Sequence, residues 1–178
     1  MTPKLNGKPT IARPRLSVYA TCALILSWAP SLGGESSLLG QVAPDFALRS
    51  LQSGNLRLSE YRSEVVVINF WSGGCGDCRQ AMPALNALYR QHRESGLAML
   101  SVNVTDDAHH AASMAKSLNI ASPVLIDERR ETNKSYRLDK LPMTVLVDRA
   151  GVVRYLFSGY SIGDEKAYAA RVRQLLQE

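Results

Sequence analysis

Two cysteines three residues apart, Cys75 and Cys78, are the residues of this chain whose type and spacing suit covalent chemistry. They follow a continuous apolar run, Val65-Val66-Val67-Ile68, which continues through Asn69-Phe70-Trp71 into Ser72-Gly73-Gly74. β-Branched residues over that length predict a buried strand, and the Ser-Gly-Gly stretch predicts the turn that ends it. Beyond Cys78, Met82, Leu85 and Leu88 recur at helical spacing, which places Cys75 at a helix N-terminus and Cys78 one turn inside. The unpaired N–H groups and the positive dipole end there stabilise an anion, so a thiol at that position ionises readily and becomes a nucleophile. The second thiol lies on the same face, within reach of the first. One sulfur can then attack a disulfide while the other resolves the mixed disulfide.

Two other uses of such a pair carry less weight. A zinc site needs a second ligand pair, yet the one further cysteine is Cys22 and the histidines are His92, His109 and His110. Adjacent histidines point in different directions on a helix, so His109 and His110 are expected in solvent. A purely structural disulfide would close a loop of two intervening residues, which removes little entropy from the unfolded chain.

Several elements must position the pair. Alternation from Phe46 to Leu58 around Ser53-Gly54-Asn55 predicts a short N-terminal hairpin, and Leu58 to Tyr61 a helical turn. The helix carrying Cys78 is expected from about Gly76 to about Glu94, with a kink at Pro83 and an end at Gly96. Leu97 to Val104 reads as a second buried strand. Thr105-Asp106-Asp107 then caps a helix over Ala108 to Leu118. Pro123 to Asp127 is extended, Thr132 to Tyr136 a helical turn, and Met143 to Val147 a strand whose hairpin partner is Val152 to Phe157. Asp164 to Leu176 closes the chain as a helix with Tyr168, Val172 and Leu175 on one stripe. Strands interleaved with helices in this order predict an α/β fold with a central mixed β-sheet flanked by helices. The redox turn would then lie at the carboxyl end of a central strand.

Of the 178 residues, 21 are Lys or Arg and 16 are Asp or Glu, a formal net charge of +5. Lys4, Lys8, Arg13 and Arg15 precede the first acid, Glu35, which leaves 17 basic residues against all 16 acids in the remainder. The basicity is therefore terminal, and a nucleic-acid role loses its main support. From Leu16 to Gly34 no residue is charged, and Leu16 to Ala29 is mostly apolar. A basic leader before a short apolar core predicts that residues 1–34 are a signal peptide or an N-terminal membrane anchor, with 35–39 a linker and 40–178 the folded domain. The apolar core is short for a span of about 20 residues, so cleavage and retention both stay open. Cys22 lies inside this core as an apolar filler.

The segments Gly40 to Leu48, Leu58 to Tyr61, Asn69-Phe70-Trp71, Cys75 to Pro83, Ser122 to Asp127 and Leu141 to Gly151 together resemble the TlpA/ResA-like (DsbE/CcmG-like) thiol–disulfide oxidoreductases, in order and at fitting intervals. The resemblance covers about residues 40 to 178. It implies a thioredoxin fold with an added N-terminal β-hairpin, and catalysis by Cys75 and Cys78 with no cofactor beyond their redox-active disulfide. It also implies supporting or substrate-binding roles for Trp71, Gly74, Gly76, Asp77, Leu141 and Pro142. Pro142 would be cis and face the sulfurs, with Leu141 offering backbone groups to the substrate; otherwise, a trans proline opening an edge strand would be the ordinary expectation. The implied setting is extracytoplasmic or periplasmic, with protein disulfides or thiols as substrates and a DsbD/CcdA-like membrane thiol donor. The implied protein works as a monomer, binds no metal or nucleic acid, and serves cytochrome c maturation. Two departures from the relatives carry weight. Gly74 stands where most have tryptophan, and Ala81 where most have the glutamate taken to handle protons. Asn69 occupies the place of the buried aspartate of thioredoxins. A disulfide oxidase or isomerase is the near alternative, and a copper chaperone using both thiolates is the one from another class. A peroxidase is weaker, because no P-x-x-x-T-x-x-C precedes Cys75.

Overall fold

The computed structural model describes residues 37–105 and 107–178. The expected signal or anchor, Cys22 and Asp106 lie outside the described residues. In chain order the elements are β1 (Ala47–Ser50), β2 (Asn55–Arg57), a 3-10 turn (Leu58–Tyr61), β3 (Val65–Trp71), α1 (Gly76–His92), a second 3-10 turn (Arg93–Ser95), β4 (Leu97–Asn103), α2 (Ala108–Ser117), β5 (Val124–Ile126), α3 (Glu131–Ser135), β6 (Met143–Val147), β7 (Val153–Ser158) and α4 (Asp164–Gln177).

The strands form one mixed sheet in the order β2-β1-β5-β4-β3-β6-β7. β3, β4 and β5 are parallel, whereas β6 and β7 join antiparallel on one side and the β1–β2 hairpin antiparallel on the other. Every residue of β3 and β4 is buried, because both faces of these strands are covered: α1, α2 and α4 pack on one, and Ala43, Phe46, Leu58 of the 3-10 turn and Tyr136 just after α3 pack on the other. The two faces still alternate. Val66, Ile68 and Phe70 pack in one core with Leu100, Val102, Tyr136 and Val145. Val65 and Val67 pack in the other with Leu85, Met99, Tyr168, Val172 and Leu175, the last three being the stripe of α4.

The helix of the redox motif ends earlier than its pattern suggested. Regular α-helix stops at His92, a 3-10 turn follows, and Gly96 closes it at φ 91°, the left-handed conformation that glycine adopts without steric cost. Pro83 lies inside this helix, whose residues from Gly76 to His92 form one element. Residues 40–43 add a strap that alternation did not reveal. The Gly40 N–H donates to the Val153 carbonyl (2.8 Å), the Val153 N–H to Gln41 (2.8 Å) and the Ala43 N–H to Gly151 (2.9 Å), so the strap covers part of the outer edge of β7. The β6–β7 turn needs its glycine twice over: Gly151 has φ +79°, and the Arg62 guanidinium fills the place a Cβ would take. Among the described residues no helix is long and apolar enough to cross a membrane.

Candidate active site

β3 carries the chain from the floor of the sheet to its carboxyl end, where Trp71 is fully buried and the chain turns through Ser72, Gly73 and Gly74. The Cys75 N–H donates to the Ser72 carbonyl at 3.3 Å, which closes the turn. Cys75 is the N-cap residue of α1, with extended backbone, and its Sγ accepts a hydrogen bond from the Cys78 N–H at 3.1 Å. This is one of the donors that a helix start leaves without a partner, and here a sulfur satisfies it. Cys75 and Cys78 are joined as a disulfide, with Cα atoms 5.2 Å apart.

The two sulfurs differ in surroundings. Cys78 is 0% exposed and packs among Trp71, Met82, Ala111, Ala115, Val124 and Ile126, while Cys75 is only half-buried at the edge of the same cluster. An incoming thiolate or disulfide therefore meets Cys75. Leu141 packs against this cluster from the strand side. The Leu141–Pro142 peptide bond is cis, Pro142 is buried, and its carbonyl accepts from the Gly159 N–H at 2.7 Å. Pro142 opens β6, which lies between β3 and β7 and so is no edge strand.

The flanking glycines leave the site open. Gly74 and Gly76 are exposed, neither needs a left-handed backbone, and a Cβ on either would meet nothing within 4 Å. Asp77 is half-buried in the first helical turn. Ala81, at the position where relatives carry glutamate, is 0% exposed in the core with Val65, Val67 and Leu85. A carboxylate there would be desolvated, a cost that alanine removes. Asn69 is also 0% exposed; its Oδ1 accepts from the Thr144 hydroxyl at 3.4 Å and its Nδ2 has no hydrogen-bond partner.

His109 and His110 are exposed on the first turn of α2, where Asp107 caps the helix by accepting the His110 N–H at 2.9 Å. Among the described residues, no three or more His, Cys, Asp or Glu side chains are grouped so as to hold a metal ion.

Two contributors escaped the sequence reading. Arg79 reaches back over the turn, donating from Nη2 to the Gly73 carbonyl at 3.0 Å. Asn86, facing inward from α1, donates from Nδ2 to the Leu118 (3.2 Å) and Asn119 (3.0 Å) carbonyls and accepts the Ala121 N–H at 2.9 Å. It ties the redox helix to the loop between α2 and β5. A charged and an amide side chain on an amphipathic helix both read as solvent-facing, so periodicity gave no signal of either contact.

Comparison with known proteins adds to this geometry. The pattern of the AhpC/TSA family matches residues 39–156. A thiol-disulfide oxidoreductase ResA from Geobacillus kaustophilus is 34% identical over 121 residues, which cover 68% of this chain and 70% of that protein. A thioredoxin-like protein YneN from Bacillus subtilis is 32% identical over 123 residues, covering 67% and 71%. Among solved structures, a candidate thiol:disulfide interchange protein DsbE from Chlorobium tepidum superposes with a TM-score of 0.75 at 28% identity, over 79% of this chain and 99% of that one.

Proposed function

The chain belongs to the AhpC/TSA family, among its ResA-like thiol–disulfide oxidoreductases, and on that premise we propose that it is an exported, membrane-tethered reductant of protein disulfides. The observation that carries the reading is the asymmetry of the pair: the helix-capping Cys75 is accessible and Cys78 is sealed beneath it. Cys75 as thiolate attacks one sulfur of a client disulfide, forming the mixed disulfide and releasing the other client sulfur as thiolate. Cys78, losing its proton, then attacks the Cys75 sulfur. The bond to the client breaks, the client leaves with the electron pair as a second thiolate, and Cys75–Cys78 closes. Two electrons have passed to the client, and a membrane-embedded dithiol returns them. Leu141, which packs against the cluster holding both sulfurs, and the cis Pro142 that follows it present the backbone against which the client segment lies.

The basic leader and uncharged stretch before Gly34 support export, and the resemblance favours retention as an anchor. Apocytochrome c thiols are the client class we carry from the resemblance. Sodium carbonate extraction of membranes checks the tether, which is contradicted by full release of the protein.

Replacing the resolving thiol tests the mechanism. Cys78→Ser should accumulate covalent client adducts on non-reducing gels, while Cys75→Ser and the double variant show none. Trapping by Cys75→Ser instead would reverse the roles.

A further inference from the structure

We propose that Arg79 is a positioning residue of the redox turn, whose guanidinium closes a clasp over Cys75 and so favours the closed disulfide over the open dithiol. The inference rests on the thiol exchange argued above. Arg79 immediately follows the resolving cysteine, and its donors reach back to the attacking one and to the turn before it. The backbone N–H bonds the Cys75 carbonyl at 3.4 Å, while Nη2 bonds the Gly73 carbonyl, two residues before Cys75, at 3.0 Å. The glycines on either side of Cys75 add no side-chain support of their own: the Cβ directions of Gly74 and Gly76 face open space, and glycine loses more backbone freedom on ordering than any other residue.

When the disulfide opens, the covalent restraint between Cys75 and Cys78 is gone and the clasp remains. Clasp and disulfide order the same stretch from Gly73 to Arg79, so each lowers the entropy the other must overcome. By reciprocity, the clasp favours the disulfide as much as the disulfide favours the clasp. In the resolving step this means that the Cys78 thiolate meets the Cys75 sulfur at a higher effective concentration, forming one S–S bond as the bond to the client breaks. The guanidinium charge pulls the other way, because a cation near Cys75 stabilises its thiolate and hence the dithiol. Arg79 is exposed, so water and salt weaken that field, whereas the hydrogen bond to a buried turn carbonyl is kept. The planar fork reaches back over the turn in a way that a lysine ammonium does not reproduce.

The test equilibrates the full chain with mixtures of reduced and oxidised glutathione, as wild type, Arg79→Met and Arg79→Lys. Arg79→Met keeps the apolar stem and loses donor and charge; Arg79→Lys keeps the charge. The constant for closing the disulfide should fall about three- to tenfold in Arg79→Met, tenfold being about 30 mV toward a more positive potential. Arg79→Lys should fall between wild type and Arg79→Met. The pH profile of Cys75 alkylation in the reduced protein should be nearly unchanged, and Arg79→Met should cost the oxidised protein more folding stability than the reduced protein, by the same factor as the closing constant falls. A constant within about twofold of wild type in Arg79→Met overturns the clasp. So does a more stable disulfide accompanied by a raised Cys75 pKa, which would make Arg79 a charge and nothing more. A wild-type pair that never exchanges with glutathione overturns the exchange reading too, and is distinguished from failure of the clasp alone by the behaviour of wild type.

Discussion

Cys75 and Cys78 share one chemistry and differ in what surrounds them, and that difference divides attack from resolution. Their spacing was legible in the sequence because a thiol pair after an apolar strand has few other uses, and periodicity alone placed Cys75 at a helix start. The burial of Cys78 was not legible, since it depends on Ala111, Ala115, Val124 and Ile126 arriving from α2 and β5. The effect of Asp77 can be argued at this scale. A carboxylate in the first turn suits the helix dipole but repels the thiolate that the same helix end stabilises. Weakening the thiolate disfavours the dithiol, so the disulfide forms more readily and the pair is a stronger reductant. Asp77→Asn should therefore lower the Cys75 pKa and shift the potential upward by tens of millivolts, on the order of 30 mV per 1.4 kcal/mol. Glutathione equilibration at low and moderate salt checks this; an unchanged or lower potential sinks it.

The elements hold the redox turn still, and Asn86 is where that can be measured. Its amide satisfies three backbone groups of the 118–121 loop while itself 5% exposed. Asn86→Ala strands them, and buried unpaired groups cost about 1–3 kcal/mol each, with water able to recover part of the loss. We expect a loss of about 2–3 kcal/mol, or roughly 5–10 °C in melting temperature; a change under about 0.5 kcal/mol, as at an indifferent surface site, contradicts it. The N-terminal hairpin has a pH-sensitive tie. Burial acts upward on the Asp45 carboxyl, but hydrogen bonds from Arg57, the Ser59 N–H and the Ser59 hydroxyl outweigh it and hold its pKa below the ordinary value. A depressed folded pKa contributes stability above the unfolded pKa, lost as pH falls through the folded one. Between about pH 5 and 3, wild type should therefore lose more stability than Asp45→Asn, read from parallel urea titrations; parallel pH dependence would contradict this. Strands and helices were legible from period and turn residues, with ends displaced by a residue or two. The 40–43 strap was not, because its partner Val153 is over a hundred residues away and four residues carry no period.

At the scale of the molecule, a near-neutral domain follows a basic, apolar leader, and the domain presents one accessible sulfur at the carboxyl end of its central strand. The sheet could be read from alternating elements, and the thioredoxin fold from many short matches in order. The direction of electron flow could not, because it depends on the free-energy difference between disulfide and dithiol, which small contributions from the residues around the turn decide and no motif displays. That direction is the central claim here, and the standard reduction potential of the Cys75–Cys78 pair tests it most directly. The account predicts a value at or below about −230 mV, toward the −270 mV of thioredoxin; a value of about −180 mV or higher, toward that of a disulfide oxidant near −120 mV, would contradict it.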